Sequence, residues 1–124
     1  MTIEEAIQNH RAICDDLYGL AVEENRFLQE QHRPAEPALI ERRRAVLKRL
    51  DEAVTALRSL PAGGVKDPGR RDALEKTQAR IMQILQIDRE NEQLLTRYSL
   101  SRGTPPPSAA VDRGILQRIY SGGT

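Results

Sequence analysis

Two histidines and one cysteine are the side chains of this chain best suited to chemistry near neutral pH, and their spacing gives them little to work with. His10 and His32 stand in different segments with no further ligand at a metal-binding interval, so no zinc site is expected. His10 falls on an apolar stripe and reads as a packed seam residue rather than a ligand or base. Cys14, the single cysteine, cannot form an intramolecular disulfide, and its apolar position points to a buried, inert thiol. Asp15-Asp16 and Glu23-Glu24 are neighbours that diverge by about 100° around a helix, so neither pair makes a carboxylate dyad. Gly63-Gly64 lacks the lysine and hydroxyl residue that turn a glycine loop into a phosphate cradle. The expectation is a protein without catalytic residues, metal or cofactor.

Charge narrows the partners. Nineteen basic and eighteen acidic side chains leave a net charge of +1, far from the excess that neutralising a phosphate backbone requires. Arg42-Arg43-Arg44 with Lys48 and Arg49 is the one basic cluster, but consecutive arginines point in different directions on a helix. Glu41, Asp51 and Glu52 dilute the cluster and no aromatic residue stands near it to stack on bases, so nucleic acid is not expected. No apolar run approaches the roughly 18 residues of a membrane span, and Met1 to Glu5 lack the basic and apolar regions of a signal peptide. The chain reads as cytoplasmic, with no membrane partner.

The elements that would position any site are helices. With 124 residues, 39% apolar and only 3% aromatic, the chain suits one all-α domain packed by Leu, Ile, Val and Ala in coiled-coil fashion. Thr2 and Glu5 form a capping-box pattern, and Ile3, Ile7, His10, Cys14, Leu17, Ala21, Glu24 and Leu28 then recur at spacings of four and three. Pro34 and Pro37 predict a turn near residues 32 to 37. A second stripe follows through Leu39, Val46, Leu50, Ala53, Leu57 and Leu60, ended by Pro61-Ala62-Gly63-Gly64. Residues 1 to 31 carry seven acidic and two basic side chains, whereas residues 36 to 60 carry four acidic and six basic, so antiparallel neighbours would attract. Asp67-Pro68 is an acidic cap before a proline in the first turn, and launches a third helix to about Leu100. Residues 1–100 are thus expected to form a bundle of three long antiparallel helices.

The third stripe poses a problem of its own. Leu74, Thr77, Ile81 and Ile84 follow a heptad line whose continuation meets Asp88 and Asn91. A strict continuation buries a carboxylate. A second spacing of three instead carries the face to Ile87, Asn91, Leu94 and Tyr98, the mark of a stammer, and swings Asp88 and Glu92 outward. On this preferred alternative the face turns by about 80°, and Asn91 stays in the seam to fix register or partner number. Ile87, Asn91, Leu94, Leu95 and Tyr98 then become candidates for partner binding.

Residues 101–124 have a different character. Ser101 to Thr104 and the Pro105-Pro106-Pro107 run read as a linker, and Val111, Ile115, Leu116, Ile119 and Tyr120 lie near one face of a short amphipathic helix capped by Ser108. Such a flexible tail either docks on a partner through these five residues or packs back on its own bundle. Spacing alone does not choose.

Ile87-Asp88-Arg89-Glu90-Asn91-Glu92-Gln93-Leu94-Leu95 resembles the last-helix pattern of FlgN-type flagellar export chaperones. Two earlier helices with short connectors, the charged segment Glu41 to Leu47 and a Pro/Gly/Ser-containing tail are similar to that family over most of the chain. The resemblance implies a cytosolic chaperone that holds the amphipathic helical ends of hook-associated proteins in an export-competent state. It also implies tail contacts with client or export machinery. The alternative is a structural coiled-coil protein or adaptor that self-associates through the same surface, as a homodimer for instance.

Overall fold

The computed structural model describes residues 2–60, 67–102, 116 and 118–120. Three long helices make up the bundle: α1 (Ile3–Gln31), α2 (Pro37–Arg58) and α3 (Pro68–Arg102). The protein is all-α, as its stripes predict, with no strand among the described residues.

Each start follows from its local sequence. At α1, Glu5 N donates to Thr2 Oγ1 at 3.1 Å and Thr2 N to Glu5 Oε1 at 3.3 Å, which satisfies two otherwise orphaned amides reciprocally. α2 opens on Pro37, whose missing N–H costs nothing in a first turn. Ahead of α3, Asp67 Oδ2 accepts from Arg70 N at 3.1 Å, and Pro68 begins the helix. α1 stops where His32 turns left-handed at φ 53°, its N–H reaching back to Leu28 O at 3.1 Å.

α1 packs along both other helices. Pairs across α1 and α2 run in opposite numerical directions, with Arg42 on Glu23 at 3.3 Å and Arg49 near Asp16 at 3.7 Å, so these helices are antiparallel. Across α1 and α3 the pairs ascend together. Arg70 binds Glu4, and Arg80 lies 3.3 Å from Asp15 with its guanidinium over the Tyr18 ring. The bundle therefore runs up, down, up. The acidic first and basic second helix do meet through ion pairs, though exposed pairs of this kind contribute only ~0 to 1 kcal/mol each. Burial of the apolar stripes stabilises the bundle more than these pairs do.

That burial occurs in two blocks. The larger gathers Ile13, Leu17, Leu20, Val46, Leu47, Leu50, Val54, Ile81 and Ile84 about Cys14. The smaller packs Leu28 on Leu95, with Ile40, Leu94 and Tyr98 at its edge. Between them lies a layer of buried polar side chains: Glu24, Arg43, Asp88 and Asn91.

Candidate functional site

Asp88 does not swing outward. The seam of α3 runs straight through Ile81, Ile84, Asp88, Asn91 and Leu95, all buried, while Glu92 is exposed, so the stammer expected from the sequence does not occur. The physical reason is on α2. Arg43 occupies the position between Leu39 and Val46 on the second apolar stripe, and its Nη2 donates to Asp88 Oδ2 at 2.5 Å. Only 4% and 5% of these two side chains is exposed. A carboxylate can enter an apolar seam when a guanidinium meets it there. Arg43 Nε and Nη1 are buried without a hydrogen-bond partner, so the guanidinium is under-satisfied. The three consecutive arginines indeed part company: Arg42 turns to Glu23, Arg43 to Asp88 and Arg44 to Glu41.

Asn91 is fully buried one turn further on. Its Nδ2 donates to Ala21 O at 3.1 Å and to Glu24 Oε1 at 3.2 Å, and its Oδ1 accepts from Asn25 Nδ2 at 2.8 Å. The amide that the sequence placed in the seam thus ties α3 to α1 within the chain. The neighbouring candidates are drawn inward as well. Leu95 is buried against Leu28, Tyr98 OH donates to Leu28 O at 2.9 Å, and the Tyr98 ring meets His32 edge-on. Ile87 and Leu94 are half-buried on the flank. Asn91 and Leu95 are occupied by the bundle's own packing, and Ile87, Leu94 and Tyr98 keep part of their surface open.

The tail makes a similar return. Leu116 is fully buried in the larger apolar block, and Ile119 and Tyr120 pack against it. Arg58 at the end of α2 holds the segment by donating Nη2 to Ile119 O at 2.9 Å. Of the two alternatives for the tail, these residues follow the one in which it lies on its own bundle. Val111, Ile115, Ser108 and the triproline run fall outside the described residues.

Tyr120 also completes a buried cluster. Its OH lies 2.9 Å from His10 Nε2 and 3.6 Å from Cys14 Sγ, and Sγ is 3.7 Å from the same nitrogen. Cysteine beside histidine invites comparison with a nucleophilic pair, but here both groups favour neutrality. Burial pushes the Cys14 thiol up, a shift opposed by the hydrogen bond with Tyr120 and reinforced by the charge of Asp15. Burial holds the His10 imidazole below its ordinary range and pushes the Tyr120 phenol well above its own, with Cys14 adding to the latter. A thiol is activated where a cation, a helix N-terminus or a neighbouring base favours the thiolate, and burial in an apolar block works against that charge. Among the described residues, no group of three or more His, Cys, Asp or Glu is placed to hold a metal ion, and no helix is long and apolar enough to cross a membrane.

The open surface is concentrated elsewhere. Among the described residues the large apolar side chains left exposed are Met82, at 61%, and Leu100, at 79%, both on α3. A furrow of about 470 Å³ beside Met82 is walled by Leu85, Gln86, Arg89 and Gln93. A second depression, about 510 Å³, lies between α1 and α2 over Gly19, Leu20, Ala45 and Val46, and Glu23 and Arg42 also line it. No protein-family model, curated protein or solved structure matches the chain.

Proposed function

We propose that this protein is a non-enzymatic helix-holding adaptor, of the export-chaperone kind, that binds the amphipathic helical end of a client protein along the outer face of α3. The observation that carries this is the pairing of Met82 and Leu100 on one helix. Eighteen residues at about 100° each complete five turns, so the two side chains share a face and stand about 27 Å apart. Gln86, Arg89 and Gln93 lie between them on that face and line the Met82 furrow. Methionine is flexible and polarisable, and suits surfaces that accept several partners by repacking. The resemblance of residues 87–95 to the last-helix pattern of FlgN-type flagellar chaperones makes hook-associated proteins the first clients to test, in a cytoplasmic setting.

The experiment is calorimetric titration of the full chain with synthetic peptides of the helical ends of hook-associated proteins. Binding should be weakened at least tenfold in the double variant Met82→Glu/Leu100→Glu, with the melting temperature unchanged because both side chains are exposed. Absence of binding by the native chain would overturn the proposal. So would a homodimer in light scattering that the same double variant dissociates, since the face would then serve self-association.

A further inference from the structure

We propose that the cavity at the amino-terminal end of the bundle binds a small carboxylic acid with an aromatic or medium-length aliphatic body. This site is separate from the outer face of α3. The cavity has a volume of about 320 Å³ and lies where α1, α2, α3 and the tail converge. Its walls are aliphatic, with Ile7 from α1, Val54 and Leu57 from α2, and Leu74 from α3. Three polar side chains interrupt them: His10, Arg58 and Tyr120. An apolar pocket with a few convergent polar groups is the usual form of a small-molecule site, and this one is near the lower end of the size range of about 300 to 1,000 Å³. Apolar cavities of about 150 Å³ already admit benzene.

The polar side chains specify the head group. His10 is buried, with 5% of its surface exposed, and its Nδ1 has no hydrogen-bond partner. Its Nε2 is held by Tyr120 OH at 2.9 Å. The phenol stays protonated, because burial raises its pKa, and so can donate to Nε2. With the phenol donating, the neutral ring carries its proton on Nδ1; with Nε2–H donating instead, the phenol oxygen accepts and Nδ1 is left as an acceptor. Arg58 also lines the cavity and adds positive charge, which is felt at the Tyr120 phenol, where it opposes the upward shift. A cation among aliphatic walls selects an anionic oxygen with an apolar body behind it. A carboxylate meets both conditions. A neutral alcohol of equal length fills the cavity without engaging the guanidinium charge.

The test titrates the full chain with octanoate, with naphthoate and, for comparison, with octanol, following the His10 ring signals by NMR and the heat of binding by calorimetry. Octanoate or naphthoate should bind at least tenfold more tightly than octanol and move the His10 signals. Arg58→Gln should erase that preference. Leu74→Trp, which fills the cavity, should abolish binding of all three, with Leu57→Phe as a second filling variant should the first fail to fold. The proposal is overturned if no carboxylate binds, if octanol matches octanoate, if the His10 signals stay still, or if binding persists in the filled variants.

Discussion

Arg43 on α2 and Asp88 on α3 form an ion pair with an N–O distance of 2.5 Å, in a layer that separates two apolar blocks. Taking both charges out of water is costly, and their attraction repays that cost only in part when two guanidinium nitrogens stay unpaired. The pair is better suited to fixing alignment than to adding stability. Sliding α2 past α3 by one turn would part the pair, setting Asp88 against Leu39 or Val46 and Arg43 against Ile84 or Asn91.

Removing one partner should therefore be far worse than removing both. Asp88→Leu alone is expected to destabilise by ~3 to 5 kcal/mol, whereas Arg43→Met/Asp88→Leu together should be near neutral or stabilising. Urea denaturation of the two single variants and the double variant measures the difference. A loss below about 0.5 kcal/mol in the Asp88 variant, as for an ordinary surface substitution, would refute the buried placement.

Asn91→Leu should destabilise rather than stabilise. It withdraws a donor from the buried Glu24 carboxylate and from Ala21 O, and an acceptor from Asn25. A loss of ~1 to 3 kcal/mol is expected from these vacated partners, read as a lower denaturation midpoint. An increase in stability would mean that Asn91 acts only as a polar device for register, with its partners solvated.

Leu116 supplies a sharp test of the tail. Leu116→Ala should cost ~2 to 5 kcal/mol because the side chain is fully enclosed, and truncation after Leu100 should lower the melting temperature for the same reason. A truncated chain that melts like the full one would detach the tail from the core.

His10 predicts a pH dependence. Its imidazole titrates below the ordinary value of 6.5 in the folded protein because burial disfavours the cation. The unfolded chain therefore binds the proton more readily. The stabilising contribution is complete above about pH 6.5 and is lost as pH falls through the lower folded value. Melting temperature should decline from pH 7 towards 5, and less so in His10→Gln. Parallel declines in the two proteins would show that carboxylates, and not His10, govern the slope.

The fold was legible because its signals are local. Thr2 with Glu5, Asp67 with Pro68 and the 3-4 stripe of α1 each depend on residues within a turn or two, and those elements stand where these signals put them. The interior of the site was not legible for the converse reason. Asp88 alone looks like an error in a seam and invites a shift of the face. Its explanation, Arg43, stands 45 residues away, and the available sign was a gap in the second stripe between Leu39 and Val46. The same limit applies to the tail. Spacing marks Leu116, Ile119 and Tyr120 as one apolar face, but only the folded chain shows that His10, Cys14 and Arg58 receive it.

The contact between His10 and Tyr120 joins positions 110 residues apart, and it bears on how the chain matures. Closing so long a loop comes late, since its entropy must be lost before the contact returns anything. A nascent chain that has emerged only through α3 can assemble three helices, yet the apolar block around Cys14 still lacks Leu116. Until Tyr120 is made, that end of the bundle exposes the surface it will later enclose, and for this interval the protein is itself a candidate for chaperone binding.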